Sequence, residues 1–148
     1  MTGATALCQG LMDHEEKLVT AVSKARYSPQ EMAAGATDLI NEAATSKITG
    51  EEERYSHIDL VDFEANVEGS EAAFEAVKPL LDETDPDLAG EIEADFKAVF
   101  NSLEPYRTED GFVPYTELTE ADTKKLAVGI DTLAEKLSQV PAEIASSE

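Results

Sequence analysis

A tyrosine, a serine and a histidine stand side by side at Tyr55, Ser56 and His57. They lie within the stretch ITGEEERYSHIDLVDFEANVEG, from Ile48 to Gly69. Thr49 followed by Glu52 has the form of a capping box, so the spacing predicts a helix that starts there and carries Leu60, Phe63 and Val67 inward. Stepping back from Leu60 by three and by four places His57 and Ser56 on the buried side, near the N-terminal end. Glu53 lies one turn before His57, and Glu64 two turns after it. Glu53, His57 and Glu64 would then form a polar column at the edge of the core. Neutral imidazole with carboxylates is a ligand set for iron or zinc. The plainer reading is a histidine satisfied by one carboxylate, and spacing alone favours it. Tyr55 and Asp59, four apart, turn away from Leu60, with Asp62 and Asn66 continuing a polar, solvated face.

Other candidates are thinner. His14 occupies a core-like place in its own helix, but Lys17 and Leu18 stand where a carboxylate would complete a two-ligand helix face. Cys8 is the single cysteine, so it cannot pair within the chain. No Gly-x-Ser-x-Gly elbow, His-Glu-x-x-His pair or phosphate-cradling glycine loop occurs in the sequence. Carboxylates are so many that no acid pair argues for acid–base catalysis. The expectation is a protein that is not an enzyme.

These residues need a scaffold, and helical spacing dominates the chain. Leu7, Leu11, His14, Leu18, Val22 and Ala25 mark a first helix. Ser28, Pro29 and Glu31 stop and restart the chain as a second capping box with proline at the first helical position. Met32, Ala36, Leu39 and Ala43 give the second helix a face of small residues. Leu60, Phe63, Val67, Phe74, Val77 and Leu81 stripe the third, with Ser70 in the gap and Gly69 and Pro79 as interruptions. Asp85-Pro86 opens a fourth, striped by Leu88, Ile92, Phe96, Val99, Leu103 and Tyr106. A loop around Gly111 follows. Thr119 with Asp122 opens a fifth, carrying Leu126, Ile130, Leu133, Leu137 and Val140, which Pro141 ends early. The expectation is an all-α, up-and-down bundle over residues 1–148, with a four-helix core plus one extra helix.

Charge narrows the partners. Thirty-two Asp and Glu face eleven Lys and Arg, a net −21. Such a surface repels phosphate backbones, so nucleic acid is not expected. Cations or basic proteins would be attracted, although a high-salt source would produce the same acidity without a ligand. No apolar run reaches the roughly 20 residues that span a bilayer, and the N-terminus lacks a basic and apolar leader pattern.

The run KITGEEERYSHIDLVDFEANVEGSEAAFEAVKPLL, the later DGFVPYTELTE and the closing LAEKLSQVPAEI resemble the C-terminal half of the imelysin-like domain of EfeO-type iron-uptake proteins. The resemblance runs from about Leu18 onward and is most specific from Lys47 to Asn66. It implies two packed helical bundles, an extracytoplasmic (periplasmic or extracellular) place, and iron as cargo at a weak or shared site. It further implies an iron permease and a peroxidase-like partner. Some relatives bind acidic polysaccharide instead, and a purely structural or interaction bundle is the other alternative. The family's His-x-x-Glu motif belongs to the other half and is not found here. The partner implied is therefore a missing N-terminal bundle, a second copy, or the permease. What carries over is the segment Glu52, Glu53, Arg54, Tyr55, Ser56 and His57, with Asp59. The resemblance brings a functional or interface role for His57 level with the plainer reading.

Overall fold

The computed structural model describes residues 2–45, 53 and 55–146. The expected cap at Thr49 and Glu52 lies outside them. Six α-helices occur among the described residues: α1 (Thr2–Val22), α2 (Pro29–Thr45), α3 (Asp59–Thr84), α4 (Pro86–Leu103), α5 (Glu120–Leu137) and the short α6 (Val140–Ala145). A two-residue hairpin, β1 (Arg107–Thr108) against β2 (Gly111–Phe112), sits between α4 and α5. Single 3-10 turns, Glu104–Tyr106 and Tyr115–Glu117, flank it.

Helices α2 to α5 close a ring in which each packs on the next, and α6 lies across α2 and α3. This is the expected up-and-down, four-helix core, with two helices, α1 and α6, outside it. Local chemistry fixes its starts. The Ser28 amide and hydroxyl both donate to the Glu31 carboxylate, at 2.7 and 2.9 Å, and the Glu31 amide returns a bond to Ser28 Oγ at 3.2 Å. The Asp85 carboxylate accepts from the Leu88 amide at 3.0 Å, with Pro86 opening α4. Thr119 and Asp122 cap α5 reciprocally. Each arrangement satisfies backbone donors that the first helical turn leaves orphaned.

Burial follows the stripes in α3, α4 and α5. Phe63, Phe74 and Phe96 are the largest buried side chains, and the Phe74 and Phe96 rings meet at 5.8 Å. In α2 the buried line is Ala33, Ala36, Ile40 and Ala43, so Ile40 takes the place expected for Leu39. The small side chains bring α2 close to α3. There the buried Ser70 hydroxyl donates to the Ala36 carbonyl at 2.8 Å. A Cβ added at Gly69 would meet Leu39 Cδ1 at 3.3 Å. Gly69 is therefore a contact point, and neither it nor Pro79 interrupts α3.

Two expectations are corrected. The third helix starts at Asp59, because His57 adopts a left-handed backbone (φ 58) that a continuing helix cannot contain. The α1 stripe forms a helix but not a core. Leu7, Leu11, Leu18 and Val22 face solvent, and so does His14.

Candidate metal-binding site at the start of the third helix

The segment before α3 is a tight turn rather than a helix. The His57 amide donates to the Glu53 carbonyl at 2.8 Å, the bond that closes the turn. The left-handed His57 then redirects the chain, and the Tyr115 amide holds its carbonyl at 2.9 Å. The turn is thus pinned to the loop that precedes α5. The Glu53 carboxylate accepts from the Ser56 hydroxyl in a short bond. His57 and Glu53 are half-buried, Ser56 is exposed, and Tyr55 projects into solvent at 95% exposure.

Asp59 is the outlier. It was expected on the solvated face, yet it is completely buried at the first position of α3. Its Oδ1 accepts from the Glu53 amide at 3.2 Å. Its Oδ2 is buried with no hydrogen-bond partner among the described residues. A buried carboxylate oxygen left unpaired is costly in a folded protein. Burial raises the Tyr115 pKa, and the nearby Asp59 charge raises it further. The sequence did carry a signal for this placement. Phe63 minus four is Asp59, and the line through 63, 67, 70 and 74 is the buried one. Stepping back from Leu60 instead led to His57, across a bend the pattern does not announce.

Glu64 does not join the turn. Its carboxylate is gripped by Arg107, with Nη2 to Oε1 at 2.5 Å and Nη1 to Oε2 at 3.4 Å. Arg107 also donates from Nε to Glu104 at 3.0 Å and lies 4.6 Å over the Phe112 ring. Its pKa is pushed up, by Glu64 first and Glu104 second. The expected column of Glu53, His57 and Glu64 on one helix face is therefore not formed. Two of its members precede the helix, and the third is held by an arginine 43 residues away. Glu52 lies outside the described residues. Among the described residues, no three of His, Cys, Asp and Glu are gathered closely enough to hold a metal by themselves.

Residues 2–140 match the imelysin family model, which is also labelled peptidase M75. The chain belongs to the imelysin family. Among its curated relatives is the "Iron uptake system component EfeO" of Escherichia coli strain K12, 43% identical over 89% of this chain. The protein of the same description from Escherichia coli O157:H7 is 46% identical over 80% of the chain. That from Shigella flexneri is 43% identical over 89%. The chain spans about a third of the length of these relatives, 37% for the first and 32% for the second. This imelysin-family chain is thus similar to proteins named for iron uptake, while the family label names a peptidase. Among its described residues, no helix is long and apolar enough to cross a membrane.

Proposed function

We propose that this imelysin-family chain is a non-enzymatic, extracytoplasmic component of iron uptake that binds or relays iron through carboxylates and His57. The observation that supports the reading is the buried Oδ2 of Asp59, which has no hydrogen-bond partner among the described residues and follows a turn that carries the half-buried Glu53 and His57. Hard carboxylate oxygens with one imidazole suit iron. A cation would supply the partner that Oδ2 does not find among the described residues. The named role of the relatives points the same way.

Glu53, His57 and Asp59 are the candidate donors in this reading, and they are not gathered into one cluster in the chain as it stands. Glu64 joins only when Arg107 releases it. Such a set is too sparse for a closed coordination shell, so the site is weak or shared. The remaining donors come from elsewhere: a further segment of the kind by which the relatives exceed this chain, a second copy, or a permease or peroxidase partner.

Calorimetric titration with Fe(II) under anaerobic conditions, and with Zn(II), tests this. Asp59→Asn keeps an acceptor for the Glu53 amide but removes the charge. The expected outcome is at least about tenfold weaker binding for Asp59→Asn and for His57→Ala, a free-energy loss of about 1.4 kcal/mol. Glu83→Gln, at an exposed acid near the end of α3, should leave the isotherm unchanged and controls for diffuse attraction to the −21 surface. Parent-like isotherms for both variants would remove the turn from the site.

A further inference from the structure

We propose that α1 is a self-association element, whose exposed apolar stripe pairs with the same stripe of a second copy of this chain. Leu7, Leu11, Met12, Leu18, Val19 and Val22 are each more than half exposed, Leu7 at 77%. Among the described residues, the helix makes no substantial packing against any other element. A lone helix of this length is marginal in water. Gly3 and Gly10, with β-branched Thr5, Val19, Thr20 and Val22, weaken it further. An uncovered α1 would not persist, so something covers it.

Charge and area select the occupant. Residues 1–26 hold three acids (Asp13, Glu15, Glu16) and three bases (Lys17, Lys24, Arg26), a net of zero. The rest of the chain holds the other 29 acids and 8 bases, hence all of the −21. Two bundle bodies repel, and the surface least opposed to a neutral apolar helix is another α1. Six large side chains offer on the order of 100 Å² each. Two facing stripes then bury roughly 1,200 Å², the lower bound of specific interfaces. Pairing through one self-complementary face closes as a two-fold dimer. Helix α1 is about 31 Å long at 1.5 Å per residue. That length keeps the acidic bodies near or beyond a Debye length of about 8–10 Å at ordinary salt.

The test is sedimentation equilibrium of the full chain at low and high sodium chloride. The expected result is a reversible dimer whose dissociation constant falls several-fold as salt rises, because screening relieves body repulsion while the apolar contact is kept. The double variant Leu11→Asp, Leu18→Asp should raise that constant more than about tenfold and leave the melting temperature of the monomer unchanged. A strict monomer at high protein concentration and high salt would overturn the proposal, and would leave the stripe to a segment of the kind the longer relatives carry. A dimer that survives the double substitution would overturn it too, by placing the contact on the bundle.

Discussion

Helices α1 and α3 carry almost the same signal and meet opposite fates. Both place large apolar residues three and four apart along several turns. In α3 the line from Leu60 to Leu81 is fully covered, while in α1 the line from Leu7 to Val22 lies open. The difference is in the neighbour. Helix α3 faces the small side chains of α2, which admit close approach and a Ser70–Ala36 hydrogen bond. Among the described residues, no element packs on α1 in a comparable way. Periodicity reports that a helix has an apolar side, and it says nothing of what covers that side.

The largest effect that could break this comparison is a cavity. Phe74→Ala should cost about 3–5 kcal/mol in urea unfolding, the usual loss for a buried phenylalanine. Leu11→Ala, measured at concentrations where the chain is monomeric, should change stability by less than about 0.5 kcal/mol. Comparable losses at both positions would mean that α1 belongs to the core after all.

The same contrast explains what could be read in advance. The caps at Ser28–Glu31 and Thr119–Asp122 were legible because each needs only four consecutive residues, and the structure contains both. The stripes of α3, α4 and α5 were legible because each is periodic over several turns. The start of α3 was not. It depends on a left-handed His57, a conformation that no neighbouring glycine or asparagine advertises. One displaced boundary reassigned the candidate site, moving Ser56 outward and Asp59 inward. The Arg107–Glu64 pair was equally hidden, since its members are far apart in sequence and meet only through the packing of the hairpin on α3. The turn's place against Tyr115 came from the same tertiary arrangement.

A smaller effect sharpens the comparison at the α2–α3 contact. Ser70→Ala removes a buried hydroxyl and its bond to the Ala36 carbonyl. The expected loss is about 1 kcal/mol, because the carbonyl stays inside a helical ladder and only one bond goes unmade. Asp59→Asn should behave differently. It relieves a buried charge with one unpartnered oxygen, so the urea midpoint should stay level or rise even as metal affinity falls. A clear drop in that midpoint would assign Asp59 to holding the turn together rather than to a ligand.

The smallest expected effect separates the two regions by their helix starts. Helix α1 has no acidic residue in its first turn, whereas α2 and α5 are capped through Glu31 and Asp122. The pKa of Asp122 is lowered, first by the Thr119 hydroxyl, then by the Thr119 amide and the Tyr106 hydroxyl, which donates at 2.8 Å. The pKa of Glu31 is lowered by the Ser28 amide and hydroxyl. A carboxyl with a folded pKa below its unfolded value stabilises fully above the unfolded value, roughly pH 4. That contribution is lost as pH falls through the folded value. Acid also relieves the repulsion among 32 carboxylates, which acts with the opposite sign. The reading is therefore the difference between chains. Urea midpoints for the parent and for Glu31→Gln with Asp122→Asn should differ at pH 7 and converge as pH falls through the lowered folded values. A difference that persists unchanged into acid would mean that the caps owe nothing to their charge, and that the bundle is fastened by packing alone.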